Sequence, residues 1–578
     1  MASKGVKIFG VILVVLLILF GIMVFALFHF TRPAEVKVQN NSVLELTIGG
    51  ELRDLPPTSP LVQLTGQGKI SLLEMGQALQ AASQDERISA LYCRIYPLQS
   101  SWASVEEVRS FMQKFRESGK KIYAYLSLDL ANDIDLYLAS AADEIHLNQD
   151  SALLINGLVA EVYFYRKMLN KLKVQPDVIQ YKEFKSAENY TRSKMTPKFR
   201  SMYRSLLSDI QQRLKQALIQ ERQIEPRQLD RLMQNGILSA SSALAAGLVT
   251  HLSYEDEIQN RLKAESPGKE PRYRSISISD YLRAVKRRES PSPSHKVALL
   301  GGIGSIVTGQ SEETWENPMG GDTIASRLRK IRKDKSLKGL IFRVNSPGGS
   351  AVGSDKIWRE IRLMEEAGKP VVVSMGGVAG SGGYYIAMGA RKIVAQPSTV
   401  TGSIGVIFMK LNLRNFFDQW LGITVDRVKL AENADILSPT VSLNSRQKAE
   451  VEKWMSHIYD TFVEKAAEGR HLTVEEMEQH AGGRVFTGSQ ARQRKLIDAV
   501  GGLSTALNLL KQELNIPTEE TVELVLYPKP KSLWQSLLKG NWLQIASPGQ
   551  SLESLIKQRL SKVAHPAPWL IVPELRIH

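Results

Sequence analysis

A single cysteine, Cys93, stands among 578 residues, which excludes an intramolecular disulfide and any cysteine-rich metal site. Histidine is scarce too: there are nine, and none lies near the glycine-rich turns in sequence, so local spacing offers no histidine base. Acidic residues are outnumbered 59 to 74 by Lys and Arg, giving a net charge of +15. The basic residues are scattered along the chain without a nucleic-acid motif, so nucleic acid is not an expected partner and an anionic membrane surface is the better one. Low-complexity stretches are lacking outside one linker, and long apolar runs are lacking outside one segment. That segment, Ile8–Phe30 ("IFGVILVVLLILFGIMVFALFHF"), contains no Asp, Glu, Lys or Arg and as a helix spans roughly 35 Å, enough to cross a bilayer. It ends without a small-x-small cleavage pattern, so a retained anchor is expected over residues 1–32. Lys4 and Lys7 precede it and Arg32 follows; the positive-inside rule then places the N-terminus in the cytoplasm and the rest across the membrane.

What is present is a duplication. "LYCRIYPLQSS", "FRESGKKIYAYLS", "LYLASAADEI" and "GILSASSALAAGLV" are followed, in the same order, by "LIFRVNSPGGS", "MEEAGKPVVVSMG", "YYIAMGARKI" and "GRVFTGSQARQRKLI", at an offset of about 248 residues. Each copy alternates strand, helix and glycine-bearing turn, which predicts an α/β fold with largely parallel sheets, built twice. The stretch "KRRESPSPSHK" (286–296) reads as the linker. The expected division is therefore an anchor (1–32), an N-terminal α/β repeat (40–285), the linker (286–296), a C-terminal α/β repeat (297–530) and a tail (531–578). In the tail, "SLWQSLLKGNWLQI" has an amphipathic helical pattern that suits an interfacial membrane contact or a neighbouring subunit equally.

The copies diverge where chemistry would sit. Ser381, in "VVVSMGGVAGSGGYYIAMGA", corresponds to Asn132 or Asp133, and Gly348-Gly349 correspond to Gln99-Ser100; conversely Lys185 of "QYKEFKSAENYTRSKMT" falls on Asn433. Such complementary losses suggest one composite site. Read alone, Ser381 is either a helix N-cap after a glycine turn or a nucleophile. A nucleophilic serine needs a base and oxyanion donors; a lysine can be that base if burial lowers its pKa. Glycines at the turns would let backbone N–H groups approach a substrate carbonyl.

Together, "RVNSPGGS", "GSGGYYIA", "TGSIGV" and "GRVFTG" in that order resemble the signal peptide peptidase A (protease IV) family of the long tandem type, within the Clp protease/crotonase-like superfamily. The resemblance runs from the anchor to about residue 530. It implies a serine peptidase with Ser381 as nucleophile, Lys185 as general base, Ser403 orienting the lysine, and oxyanion donors from Gly382 and from Gly349 or Gly348. It further implies peptide substrates such as cleaved signal peptides, attachment to membrane lipid, a homotetramer, residence in a bacterial inner membrane with periplasmic catalytic domains, and no metal or nucleotide cofactor. The lysine motif departs from the family pattern: Asn189 follows Glu188 where Pro is common, and the segment is one residue shorter. Lys182 therefore stays open as a rival base. Lys410, Lys429, His457, His471 and His480 read as solvated or packed side chains. Two other readings stay open: a crotonase-type acyl-CoA enzyme using the glycine turns without Ser381 as nucleophile, and an inactive oligomeric membrane scaffold. A histidine triad on a nucleophile elbow is disfavoured because Ala379 stands two residues before Ser381.

Overall fold

A computed structural model describes residues 36–57, 70–185, 187–265, 272–288, 294–311, 318–528, 568–571 and 576–577. The expected membrane anchor and the amphipathic stretch 532–545 lie outside the described residues. Among the described residues no helix is long and apolar enough to cross a membrane.

The two copies announced by the sequence fold into separate sheets with the same strand order. In the first half, strands run in the order His251–Leu252, Glu144–Leu147, Lys121–Leu126, Ile88–Leu98, Ser42–Gly50, Ser275–Ser277, with every neighbouring pair parallel. In the second half the order Ala499–Val500, Lys392–Ala395, Val371–Gly380, Leu337–Ser346, His295–Ile303, Val522–Tyr527 repeats it, again parallel throughout. Parallel strands need crossover helices, which cover the sheet faces and make the strands nearly all apolar. Accordingly "VVVSM" of Val371–Met375 is buried without alternation, and each half closes its own core.

Within 286–296 the chain keeps regular structure further than Pro and Ser suggest. A helix runs from Ile278 to Arg288, and His295 and Lys296 already pair with Val522 and Glu523. The arginines and lysine before the prolines are good helix formers, so the linker reading narrows to the residues between those ends.

The halves meet in shared apolar clusters, one with Leu55 and Leu73 beside Val297 and Leu299, and in two contacts that bear on the site. The strand Gln175–Gln180 leaves the first half and pairs antiparallel with Ile407–Asn412 of the second, with Gln180 opposite Ile407, carrying Ile179 into the second core. Elsewhere, Arg343 of the second half is buried between Asp54 and Glu107 of the first.

Candidate active site

The strand Val371–Gly380 delivers Ser381 to the start of a short helix, Gly382–Ala387. Ser381 holds that N-cap position at φ 55°, ψ −116°, yet its side chain makes no capping hydrogen bond. Its first-copy counterpart behaves differently: Asn132 caps the helix Asp133–Ala139 through the N–H groups of Ile134 and Asp135. The cap reading of Ser381 therefore fails on geometry. A non-glycine residue in this sparsely populated region costs about 1–3 kcal/mol and is commonly held where function requires it.

The hydroxyl is turned to an amine instead. Ser381 Oγ lies 2.5 Å from Lys185 Nζ, which also meets Ser403 Oγ at 2.9 Å and the Ser403 carbonyl oxygen at 3.0 Å. All three residues are buried. Burial holds the Lys185 amine well below lysine's ordinary range, with no carboxylate countering it. A neutral amine has two N–H donors and one lone pair. Nζ stands as donor to all three oxygens, so in the neutral form one of the three contacts falls to the lone pair. Ser403 itself is at φ 55°, with its N–H donating to the Arg484 carbonyl at 2.7 Å.

The antiparallel pairing of the halves explains how Lys185 arrives. Gln180 is fixed opposite Ile407, five residues before the lysine and four after Ser403. The intervening loop is then seated on the segment after His480: Phe184 N–H donates to the Gly482 carbonyl at 2.9 Å, and Gly483 N–H to the Ile404 carbonyl at 2.7 Å. Gly483 has φ +88°, and a Cβ there would sit 2.3 Å from Lys185 N and 2.4 Å from its Cα. These two glycines were not legible as site residues, since "GRVFTG" marks only the repeat; a tight approach by a distant loop leaves no local pattern. Gly483→Ala should slow phosphonate labelling of Ser381 by about two orders of magnitude, the scale of an ångström of misplacement. Gly119→Ala is the control: it has φ +83° but open space around the Cβ, so it should show backbone strain in the melting temperature and leave labelling unchanged.

Lys182, the rival base, is elsewhere. Its ammonium is 3.6 Å from Glu478 with its side chain 43% exposed, over the rings of Tyr181 and Tyr459. Lys410 is buried and donates to the carbonyls of Ile436 and Val441, a packing role. Among the described residues no histidine hydrogen-bonds Ser381.

The glycine strand Gly348–Ser350 borders the nucleophile. A Cβ on Gly382 would come within 3.1 Å of Gly349 N, so the two backbones run side by side. The Gly348 N–H donates to Ser346 Oγ at 3.2 Å, so that amide already has a partner. Gly349, at φ +152°, has its would-be Cβ 2.0 Å from the Ile306 carbonyl oxygen; only glycine fits there.

Peptidase family S49 matches this chain twice, over residues 114–267 and 364–517. The chloroplastic serine protease SPPA of Arabidopsis thaliana is 31% identical over 534 residues, covering 90% of this chain and 76% of that protein. Protease 4 of Haemophilus influenzae is 31% identical over 578 residues, covering 92% of each. A putative signal peptide peptidase SppA of Enterococcus faecium is 32% identical over 236 residues, 41% of this chain and 68% of that protein. Twin α/β repeats meeting at a serine, read with these relatives, define a serine peptidase. The chain belongs to peptidase family S49, in the tandem-repeat form of the Protease 4 and SppA relatives.

Proposed function

We propose that the peptidase works through a Ser381–Lys185 dyad, and that its substrates are extended or unfolded peptides, cleaved signal peptides among them. The observation that carries this is the buried contact of Lys185 Nζ with Ser381 Oγ at 2.5 Å. In acylation the Ser381 Oγ–carbon bond forms while its proton passes to Lys185 Nζ. The oxyanion is met by the N–H groups of Gly382 and Gly349, the C–N bond breaks, and the leaving amine takes the proton back from the lysine. Water then attacks the ester with Lys185 again as base. Ser403 positions the amine throughout, through two neutral acceptors that add no charge.

A lysine base makes the reaction pH-dependent in a set direction. Only the neutral amine accepts a proton, so kcat/KM should fall about tenfold per pH unit on the acid side of the lowered Lys185 value and level off above it. A rate that does not change from acid to alkaline pH would count against Lys185. A serine-reactive phosphonate should become attached to Ser381, identified by peptide mapping. Absence of the adduct would favour the crotonase-type reading, and absence of any cleavage the scaffold.

The setting of this chemistry is proposed on sequence grounds: an N-terminal anchor over residues 1–32, an inner bacterial membrane, catalytic halves on its periplasmic side, and lipid contact through the anchor. The name of the Enterococcus faecium relative supports signal peptides as substrates. A homotetramer is proposed from the family resemblance, and an asymmetry of the repeats supports contact between copies. Gln175–Gln180 is paired within the chain, whereas its second-copy counterpart, residues 423–428, joins no strand among the described residues and leaves Ile423 and Val428 exposed. Another copy of the chain would cover that edge.

A further inference from the structure

At the edge of the first half's sheet, strand pairing gathers three side chains that can ligate a metal. Glu144 and His146 stand two apart on Glu144–Leu147 and so share a face, and His251 lies beside His146 in register on the parallel strand His251–Leu252. Glu144 Oε2 is 3.5 Å from His146 Nε2 and 3.8 Å from His251 Nδ1. One donor atom from each residue falls within 4.8 Å of the other two. The His146 side chain is 2% exposed, and among the described residues neither its Nε2 nor Glu144 Oε2 has a hydrogen-bond partner. At 3.5 Å these two atoms are too far apart to satisfy each other.

The fold does not require polar groups here. At the repeat offset Glu144, His146 and His251 correspond to Lys392, Val394 and Ala499. Val394 pairs with Ala499 in the same register and sits in an apolar cluster against which Ala499 packs. The second copy thus closes this corner with hydrocarbon, whereas the first buries two orphaned polar atoms, which is costly unless something pairs them.

We propose that Glu144, His146 and His251 bind a divalent transition-metal ion, which ties the edge strand His251–Leu252 to the sheet and stands apart from the peptidase dyad. Two imidazoles and a carboxylate suit zinc and its neighbours rather than calcium or magnesium. Zinc holds such ligands about 3.3 Å from one another, so the Glu144–His146 pair has only to close slightly. The contacts around the trio favour these atoms: His146 Nδ1 meets Ser253 Oγ at 3.1 Å, and Glu144 Oε1 accepts from Arg261 Nη2 at 2.8 Å, leaving Nε2 and Oε2 for the ion. His251 must adjust. Its ring stacks on His146 with centroids 4.8 Å apart, and its Nδ1 and Nε2 lie 2.9 Å from Thr250 Oγ1 and 3.0 Å from Arg261 Nη1. Coordination through Nδ1 turns the ring and releases both, which a side chain 36% exposed can do. Thr250 Oγ1 then keeps the Ile145 backbone, and Arg261 keeps Glu144.

The test takes the full chain, stripped of metal by a chelator and dialysed against Zn²⁺. One Zn²⁺ per chain should bind and raise the melting temperature. The variant His146→Val with His251→Ala, which carries the second copy's apolar pair, should bind at least about a hundredfold more weakly, and its melting temperature should not respond to Zn²⁺. Absence of stoichiometric binding to the wild type, or equal affinity in the variant, overturns the proposal. Should the variant not fold, Cu²⁺ on the wild type decides: paramagnetic resonance coupling to two imidazole nitrogens supports the site, and coupling to fewer overturns it.

Discussion

Ser381→Ala is expected to lower kcat/KM on an unfolded polypeptide by on the order of 10⁴-fold or more, with complete loss of phosphonate labelling. Lys185→Met should lose a comparable amount, and the double variant hardly more than either. The reason is that the hydroxyl and the amine act as one device: without the base the hydroxyl stays protonated, and without the hydroxyl the base has nothing to activate. Additive losses would mean that Lys185 acts elsewhere. Lys185→Met carries a second signature. Because burial depresses the amine's pKa in the folded chain, the unfolded chain binds a proton that the folded one does not, from the folded value up to about 10.4. Wild-type stability therefore rises with pH across that window. The methionine variant is free of this cost, so it should melt above the wild type at neutral pH, with the difference shrinking toward pH 10. A lysine that is merely structural, fully charged and well paired would give the opposite sign.

How the site could be read from the sequence follows from how it is built. The parallel character of the sheets could be anticipated because parallel, doubly covered strands print as continuous apolar runs, as in "VVVSM", and because the first half repeats the pattern. Ser381 and Gly349 stood out because their backbones need unusual conformations, and glycine clusters are the visible trace of that need. Lys185 was visible only through the asymmetry of the copies and the family resemblance; nothing in "KEFKSAEN" itself marks a buried base, and Lys182 looked similar. What separates the two lysines is the Gly482-Gly483 bend, nearly 300 residues away, which seats the loop so that position 185 points inward and position 182 meets Glu478. The strand Pro568–Ile571, which pairs with Gly348–Ser350 on one side and Ile407–Phe408 on the other, could not be foreseen either, because strand pairing uses backbone groups alone.

Arg343→Met is expected to cost about 3–5 kcal/mol of stability, since it leaves two carboxylates buried without their cation. The Arg343 guanidinium spans the halves. Its Nε donates to Asp54 Oδ1 at 2.7 Å, Nη2 to Glu107 Oε2 at 2.7 Å, and Nη1 to Ser374 Oγ at 2.8 Å. Its two carboxylate partners raise its pKa further despite burial. The carboxylates are held from other sides too: Asn345 Nδ2 donates to Asp54 and Leu503 N–H to Glu107. The loss therefore falls on the joint rather than on either core. Arg343 lies five residues before Gly348 on the strand that leads to the glycine pair, and Asp54 and Glu107 belong to the half that supplies Lys185. Loosening this joint should shift the amine relative to the hydroxyl, lowering kcat by about tenfold or more at temperatures where the variant remains folded. The triple variant Arg343→Met, Asp54→Asn, Glu107→Gln removes the stranded charges while keeping acceptors for Asn345 and Leu503. It should recover much of the melting temperature but less of kcat, because neutral groups relieve the buried charge without restoring the guanidinium that clamps one repeat to the other. Full recovery of kcat in the triple variant would show that Arg343 serves stability alone, and that the remaining contacts between the halves, the pairing of Gln175–Gln180 with Ile407–Asn412 among them, align the dyad without it.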